Sequence, residues 1–514
     1  MNDKTYEKLN IPAEKFKVVK RSEVMHDLAP VTKPVGFFKD AFRRFCKNKS
    51  SVVAAIIIGI LILFSIVGGF ITPYDTSFSD INLANLLPKS DAFEWLGWDG
   101  CKNEEIKAAD YIRYRAIERE TGDTVIRKDK GSKWQEVYMG EILRRTLYYD
   151  VYVDSYTKNA IVFMQFTKEQ YEALQRYQDE TGIQVIYPAI PERTDIYKDD
   201  ANLWYEINAQ GANRGLPTDY NTATGEYTLT PTYVSYTGND GYSSKRIEGE
   251  TARYDYAIRV SGGNYKCRVQ YSRYCYYKDG RTPSFLFGSD QFGKDIFGRL
   301  AAGARFSFLF AIAISAINLF IGAIYGAIEG YYGGAVDMVM ERVSDILSGV
   351  PFMVVVTLFK LYVADKVGTV ATLLFAFVLT GWIGMAGSTR MQFYRYKNQE
   401  YVLAARTLGA RDGRIMFRHI FPNALGTLVT SCVLVIPSVI FSESSLSYLG
   451  IINLSTSSIT SVGTMMANGQ GSLSTYPHII FFPALFVSLL MISFNLFGNG
   501  LRDAFNPSLR GAED

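Results

Sequence analysis

The residue types that most often carry metal binding or nucleophilic catalysis are few and scattered in this sequence. Its three histidines, His26, His419 and His478, lie far apart, and none of its five cysteines forms a Cys-x-x-Cys pair. Zinc sites need cysteine and histidine ligands at short, regular spacing. The sequence therefore supports neither a metal site nor a cofactor bound by this chain, and we expect no catalytic residues in it.

Three of the cysteines, Cys101, Cys267 and Cys275, fall in one long polar segment, apart from Cys46 and Cys432. Pairing cannot be deduced from the sequence. One disulfide with a thiol left over and three free thiols are both compatible with this spacing.

One short stretch, 288–294, matches the Gly-x4-Gly-Lys pattern of a phosphate-binding loop. The residue after Lys294 is Asp295, where a Ser or Thr hydroxyl must bind Mg²⁺, and an anion at this position repels phosphate. No buried strand precedes the stretch. We therefore reject a nucleotide site here, and ATP, if it is used, must be bound by another subunit.

An acidic residue lies near the end of an apolar stretch, where an ionisable group is costly to bury. Glu443 is accompanied by Ser442 and Ser445, and Asn495 lies in the next apolar stretch. These four residues are candidates for lining a translocation path, in which the carboxylate of Glu443 would meet an ammonium group. The alternative is that Glu443 is solvated or capped at the membrane interface. Glu329, Asp337, Glu341, Arg342 and Asp345 are expected to form salt links rather than a relay.

The sharpest pattern is the basic stretch 389–423, which holds seven cations and two anions. A short helix carrying Ala404 and Ala405 is predicted to break at Gly409, and a second, amphipathic helix is predicted to stop at Pro422. Small side chains at a helix end fit a groove on a partner protein, and flanking arginines pair with acceptors there. A basic helical hairpin lying at the lipid headgroups is the alternative.

The elements that position these residues are long apolar helices. Residues 52–71 contain no charge, and twenty helical residues rise about 30 Å, the thickness of a bilayer core. Further apolar stretches lie at about 305–328, 346–363, 369–388, 425–447 and 479–500. The fold class predicted is an all-α polytopic membrane protein with six transmembrane helices. Glycines at four-residue steps, Gly322, Gly326 and Gly330, permit close helix packing, although lipid-facing glycine is an alternative.

Charge predicts the orientation of these spans. An amphipathic interfacial helix with Phe42 and Phe45 on its apolar face and a cluster of cations precedes the first span, which places the N-terminus in the cytoplasm. No cleavage site precedes this span, so we expect it to remain as an anchor. With six spans the basic stretch 389–423 also lies inside. The predicted segments are cytoplasmic 1–50, a span at 51–72, an extracytoplasmic domain at 73–304, spans 2–6 within 305–500 and a cytoplasmic tail at 501–514.

The polar segment between the first two spans is predicted to be an inserted α+β domain. It holds 24 of the 35 tyrosines, between residues 100 and 284. A helix is predicted from Thr167 as its N-cap to Gly182 as its stop, followed by a strand over 183–187. Strands are predicted over 227–236 and 254–277. A match between 120–126 and 180–186 is short, which favours coincidence over a repeat.

The basic stretch resembles the coupling loop of ABC-transporter importer permeases, whose signature is Glu-Ala-Ala, three residues, Gly, about nine residues, then Ile-x-Leu-Pro. Ala404, Ala405, Gly409 and Pro422 stand at this spacing. Leu403 replaces the glutamate, and His419 and Phe421 replace the isoleucine and leucine. The resemblance assigns the ATPase-coupling role to Ala404, Ala405, Arg406, Gly409, Ala410, Arg411, Asp412 and Pro422.

Further stretches resemble the C-type permease of the oligopeptide/dipeptide branch of that family. They are 37–75, 288–295, 330–337, 442–450 and 494–503. The similarity covers about 37–100 and 286–511. Family members carry one short Leu-Gly-Thr-Asp stretch where this chain has 95–100 and 287–293, so most of the domain between them is an insertion.

The resemblance implies a type I ABC importer permease fold in a bacterial plasma membrane. The implied partners are a second homologous permease, two ATPases that bind ATP and Mg²⁺, an extracytoplasmic solute-binding protein and a peptide substrate. Cargo such as a nickel chelate or a glycan is an alternative. A membrane receptor or assembly protein with a sensing domain, and an ion-coupled transporter, are alternatives of other classes. The net charge of +3 disfavours nucleic-acid binding.

Overall fold

The computed structural model describes residues 37–139, 142–187, 218–221, 226–229, 242–244, 257–261, 263–454 and 460–505. The predictions for residues 1–36, for the strand region 230–236 and for the tail after residue 505 lie outside this part. Within it, long apolar helices precede and follow an α/β segment, which is inserted between the first and second spans.

The helices of the described residues are α1 Phe37–Lys47, α2 Lys49–Ile71, α3 Ala108–Thr121, α4 Lys168–Thr181, α5 Tyr271–Asp279, α6 Ile296–Tyr332, α7 Gly334–Ser348, α8 Phe352–Tyr362, α9 Ala364–Val367, α10 Thr369–Tyr396, α11 Glu400–Thr407, α12 Asp412–Arg414, α13 Phe421–Tyr448, α14 Val462–Gly469 and α15 His478–Phe505. Among the residues described, five helices are long and apolar enough to span a bilayer: α2, α6, α10, the run Asp412–Tyr448 and α15. A sixth span results if α7 and α8, which meet at 70°, count as one.

The predicted span 346–363 differs from the structure. The chain leaves the helix between Ser348 and Phe352, where Pro351 lacks an N–H and sits as the N-cap of α8. The 11 residues of α8 rise about 16 Å, which is half of a bilayer core. Only the bent pair α7–α8 together is long enough to cross.

The predicted interfacial helix is present as α1, but its apolar face is not free for lipid. Ala41 and Phe45 are buried against the end of α15, where the Phe45 and Phe497 rings meet at 5.2 Å. Phe42 remains exposed. The end of α15 therefore covers part of the surface that was expected to face lipid.

The close-packing role of the glycines is confirmed. A Cβ at Gly322 would lie 2.7 Å from the carbonyl oxygen of Trp382, and one at Gly330 would lie 2.7 Å from that of Arg390. A Cβ at Gly326 would collide with the backbone of Ala386. These glycines let the backbones of α6 and α10 touch.

The strands are β1 Cys101–Lys107, β2 Ile126–Met139, β3 Ile142–Asp154, β4 Ile161–Phe166, β5 Ile186–Tyr187, β6 Thr218–Asn221, β7 Glu226–Leu229, β8 Tyr242–Ser244, β9 Ala257–Ser261 and β10 Asn264–Gln270. One sheet has the order β1-β3-β2, and a second has the order β4-β10-β9-β8 with β5 also paired to β10. All the pairings are antiparallel. The cysteines of this segment, Cys101, Cys267 and Cys275, are free thiols.

The helix α4 confirms its prediction. The Thr167 side chain and that of Gln170 form a reciprocal capping box, and Gly182 ends the helix in the left-handed conformation at φ 74°. The strand predicted to reach residue 277 is wrong after Gln270. The Gln270 side chain accepts the amide of Arg273, which caps α5 and turns the chain from a strand into a helix.

The match between 120–126 and 180–186 marks a repeated unit, so the expectation of coincidence is wrong. Unit 1 consists of β1, α3, β2 and β3; unit 2 consists of β4, α4, β5 and β10. Cys101 pairs with Asp154, as Ile161 pairs with Gln270. Each first partner shifts by 60 residues (161 − 101) and each second partner by 116 (270 − 154). The pair Ile126–Val153 shifts by the same amounts to Ile186–Val269, so the register is identical.

The two units also share their internal contacts. In each unit a helix side chain accepts both amides at the start of the next strand: Glu118 Oε1 from Val125 (2.9 Å) and Ile126 (2.7 Å), Gln178 Oε1 from Val185 (2.6 Å) and Ile186 (2.5 Å). A tyrosine on the helix stacks on a strand tyrosine in both units: Tyr111 on Tyr149 at 4.0 Å, Tyr171 on Tyr265 at 4.8 Å. Two strand pairs, two amide contacts and one tyrosine stack match at equivalent positions, which identifies a βαββ unit present twice.

Residues 72–100 and 282–295 form a layer between the inserted segment and the spans, which we call the collar. The collar fixes the segment to the spans through both polar and apolar contacts. Tyr271 of α5 packs with Leu83, Leu86 and Phe285 of the collar. Asp295 caps α6 and accepts a hydrogen bond from the Thr72 hydroxyl at 2.6 Å, while burial raises the pKa of its carboxyl. The insertion is thus mounted on the ends of α2 and α6.

Candidate functional site

The basic stretch 389–423 folds partly as extensions of its neighbouring spans. α10 continues to Tyr396, so Arg390 and Arg395 lie on a helix instead of in a loop. The prediction that Pro422 stops the second helix is wrong, because the run from Asp412 continues to Tyr448. Residues Ile415–Ile420 form a π-helical turn, in which the amide of Phe421 donates to Met416 O, five residues back. This wider turn accommodates a proline without an N–H.

The predicted break at Gly409 is confirmed. α11 ends at Thr407, and Gly409 has a φ of 79°, which favours glycine. The amides of Gly409 and Ala410 donate back to Arg406 O at 3.0 Å and Ala405 O at 3.1 Å. The chain therefore turns sharply between α11 and the helix that begins at Asp412.

The coupling-loop candidates share one surface property, since most of them are exposed. Ala404, Arg406, Gly409, Arg411, Asp412 and Pro422 are exposed, whereas Ala405 and Ala410 are half-buried. Leu408, which the sequence reasoning did not single out, is 88% exposed. A leucine placed directly before a helix-ending glycine is the signal that would have found it. The loop thus exposes small and apolar side chains together with arginines.

Beneath this surface lies a small core that joins the loop to two spans. Val402 of α11 and Ile415 of the π turn are fully buried with Phe393 of α10 and Tyr331 of α6. If the loop is displaced, the ends of α6 and α10 must therefore shift with it, because close-packed interiors transmit strain.

Tyr331 connects both arms of the loop to α6. Its hydroxyl donates to Asp412 Oδ1 at 2.7 Å and lies 3.4 Å from a guanidinium nitrogen of Arg406. Sequence reasoning did not identify Tyr331, because its partners lie 75 and 81 residues away.

A cluster of charges at the same end joins α7 to α10. Arg390 binds Asp337 through Nε (2.6 Å) and Nη2 (2.8 Å) and also contacts Glu341. Tyr394 donates to Asp337 at 2.6 Å. The predicted salt links therefore form here, with Glu329 3.7 Å from Arg390 and an exposed Arg342–Asp345 pair.

Lys397 follows α10 and closes this cluster. Its Nζ donates to Gly330 O at 2.9 Å and lies 4.0 Å from the centre of the Tyr394 ring. Burial lowers the pKa of Lys397. A cation directly after α10 thus binds a carbonyl group near the C-terminal end of α6, where the helix dipole favours positive charge.

The four translocation-path candidates differ in burial and in their hydrogen bonds. Glu443 is 1% exposed and accepts a hydrogen bond from Ser447 at 3.0 Å, inside the contact between α13 and α14. Ser442 is half-buried. The hydroxyl of Ser445 donates to Phe441 O of its own helix, and the Asn495 side chain donates to Met491 O in the same way. Their role in a path stays a prediction.

The stretch 288–294 is a turn of the collar. Its Asp290 accepts the amides of Phe292 (2.9 Å) and Lys294 (3.0 Å) and pairs with the buried Arg299 at 2.6 Å. The amides that would cradle a phosphate therefore donate to a carboxylate of the turn itself. This geometry does not fit a nucleotide.

Comparisons with known proteins place these features in one family. The family described as the binding-protein-dependent transport system inner membrane component matches residues 318–511. The family described as the N-terminal transmembrane domain of oligopeptide transport permease C matches residues 36–88. The stretch between these matches contains the repeated units.

Similar individual proteins are permeases of bacteria. The oligopeptide transport system permease protein OppC of Bacillus subtilis is 43% identical over 224 residues, which cover 44% of this chain and 72% of the relative. The dipeptide transport system permease protein DppC of the same organism is 40% identical over 44% of this chain and 69% of its own length. OppC of Escherichia coli K12 is 35% identical, with 44% and 72% covered. The chain belongs to the C-type permeases of the oligopeptide and dipeptide branch of the binding-protein-dependent transport family.

Proposed function

We propose that this chain is a transmembrane permease subunit of an ATP-driven importer of peptides. The similar proteins are named for oligopeptide and dipeptide transport. The observation that carries the proposal is the exposed turn at Gly409, which sits on a core shared with the ends of α6 and α10. A force applied to this turn is passed directly to two spans.

Membership of the permease family supports the partners of this proposal. Two ATPase subunits bind ATP and Mg²⁺ and receive residues 404–412 in a groove at the cytoplasmic face. A second homologous permease completes the translocation path. The chain itself is a transport subunit and no enzyme.

The mechanism is a rocking of the spans. When the ATPases close on ATP, they displace α11 and Gly409, and Tyr331 with Asp412 transfers the movement to α6. α6 is a single helix of 37 residues, about 55 Å long, that ends at the collar. The path opens alternately to each side because the two loop positions favour different packings of the spans.

The repeated units lie on the extracytoplasmic side of a bacterial plasma membrane. Both chain termini lie on the opposite, cytoplasmic side. A solute-binding protein delivers peptide on that side. The insertion is mounted on the collar by a packed layer and by Lys102, which lies 4.6 Å from the Tyr476 ring at the entry to α15. A platform fixed in this way suits docking of the binding protein or of the second permease's outer surface.

Purification of the chain with its neighbouring subunits tests the proposal. We expect two ATPases and a second permease to co-purify, and peptide with its binding protein to stimulate ATP hydrolysis in lipid vesicles. Uptake of a labelled peptide is measured in competition with nickel chelates and glycans. Recovery of the chain without ATPases contradicts the importer assignment, and competition by a chelate or glycan alone contradicts the peptide assignment.

A further inference from the structure

An exposed apolar turn projects from the collar. Residues Asp91–Leu96 form a 3₁₀ turn in which Trp95 is 79% and Leu96 54% exposed. Phe70 and Ile71, the last apolar residues of α2, are 82% and 63% exposed. Large apolar side chains exposed together mark a contact surface more often than isolated ones do.

The turn lies at the level where the apolar run of α2 ends. Asp91 and Ala92 line the same cavity of about 380 Å³ as Ile71 and Thr72. Trp98, just after the turn, packs edge-on against Phe482 in the first part of α15 at 5.8 Å. The turn therefore lies near the ends of two of the long apolar helices, α2 and α15.

The conformation of the turn, and with it the exposure of Trp95, is fixed by contacts of its neighbouring residues. The Ser90 amide donates to Trp98 O at 2.9 Å, which closes the loop, and Gly97 ends it in the left-handed conformation at φ 86°. The Phe93 ring packs against Trp98 at 5.3 Å, and Glu94 pairs with Arg127 of β2 at 3.3 Å. All residues of the turn are exposed, but Phe93 and Glu94 each contact the protein, while Trp95 is the most exposed of its large apolar side chains.

We propose that the turn Asp91–Leu96 is a lipid anchor, with Trp95 and Leu96 in the boundary between headgroups and acyl chains. Tryptophan concentrates at this boundary because its ring is apolar and its N–H needs a polar partner. The anchor continues the exposed apolar surface of α2 at Phe70 and Ile71. It holds the collar, and with it the inserted units, at a constant depth on the bilayer. The inference rests on the membrane-spanning helices and not on the transported cargo.

Depth-dependent fluorescence quenching tests the anchor. The complete transporter is reconstituted in nanodiscs after removal of its native cysteines, with one cysteine at position 95 carrying an environment-sensitive dye. Phe70→Cys is the lipid-exposed reference, and Lys168→Cys on α4, whose side chain is 65% exposed, is the water-exposed reference. Lipids brominated near the carbonyl end and aqueous iodide are the two quenchers.

We expect the dye at position 95 to be quenched by brominated lipid to at least half the extent seen at position 70, and weakly by iodide. Position 168 should show the reverse. Strong iodide quenching at position 95 with little lipid quenching overturns the proposal. Protection from both quenchers, or cross-linking of position 95 to the second permease or the binding protein, also overturns it, because a protein then covers the turn. Peptide uptake by the same variants reports separately on the importer assignment.

Discussion

At the scale of single residues, the loop works through two contrasting positions. Gly409 is exposed, and a Cβ placed on it meets no atom within 4 Å, so its requirement for glycine comes from its φ of 79° and from the surface that it presents. Tyr331 is buried and bridges the two arms of the loop. In the proposed mechanism, Gly409 shapes the contact with the ATPase and Tyr331 transfers its movement to α6.

Gly409→Arg should abolish uptake while leaving insertion intact. A bulky cation blocks the groove of the ATPase, and the left-handed backbone adds about 1 kcal/mol of strain. Gly334→Arg is the matched control, because Gly334 also has a positive φ (58°) and open space around its Cβ. Uptake by proteoliposomes is the measurement. Normal uptake by Gly409→Arg would contradict the coupling role assigned to this loop.

Tyr331→Phe should lower uptake per ATP hydrolysed by roughly three- to tenfold. The change keeps the buried ring but removes a hydrogen bond to a carboxylate, which contributes about 1.5 kcal/mol. Tyr332→Phe, on an exposed neighbouring ring, is the control. An unchanged ratio of transport to hydrolysis in Tyr331→Phe contradicts the transfer role, whatever the folding yield.

At the scale of elements, the repeated βαββ unit explains why Glu118 and Gln178 share one task. Each accepts two backbone amides through Oε1, so either a carboxylate or an amide oxygen suffices. The units meet at Arg273, which donates to Gln184 O of unit 2 (3.1 Å) and to Thr121 O of unit 1 (2.6 Å).

Glu118→Gln should be tolerated, whereas Glu118→Ala should destabilise unit 1 by about 1–3 kcal/mol, because two amides lose their acceptor. Hydrogen exchange measures this locally. We expect faster exchange at 125–126 in the alanine variant and unchanged exchange at 185–186. Exchange that accelerates equally in Glu118→Gln means that the charge is needed and the equivalence of the two units fails.

At the scale of the whole molecule, the bundle of spans has two ends that carry different elements. One end presents the loop around Gly409, and the other carries the collar with the repeated units. The rigid helix α6 joins them, with Tyr331 at one end and Asp295 at the other. The orientation in the membrane and the role of the insertion therefore have to be tested on the intact chain.

A membrane-impermeant thiol reagent should label Lys168→Cys in intact cells but Arg411→Cys only after permeabilisation. Burial raises the pKa of Cys275 to about 11 and that of Cys101 to about 12, so both thiols stay protonated at neutral pH and react slowly. These two thiols therefore add little background labelling, and the exposed Cys46 is replaced before the experiment. Labelling of both engineered sites in intact cells overturns the topology predicted from charge.

Replacement of residues 101–285 by a short Gly-Ser linker should leave the spans inserted and the ATPases bound, yet weaken docking of the binding protein. The deletion uncovers Leu83 and Leu86, so a version with Leu83→Ser and Leu86→Ser controls for exposed apolar surface. Binding-protein affinity and uptake are compared with the intact transporter. If both stay unchanged, the insertion is a spacer.

The sequence by itself determined the features whose causes are local. The charge-free run of α2, the N-cap at Thr167 and the helix ends at Gly182 and Gly409 depend on neighbouring residues, and each was predicted correctly. The coupling-loop spacing and the family resemblance are likewise readable along the chain.

The tertiary structure decided what depends on distant partners. The helix passes through Pro422 because a π turn precedes it, and α1 is covered by α15, 450 residues later in the chain. Likewise, the repeat at 120–126 became recognisable only through strand pairs such as Ile126–Val153 and Ile186–Val269. Contacts between remote residues form only when the whole chain is packed, which is why local pattern could not supply them.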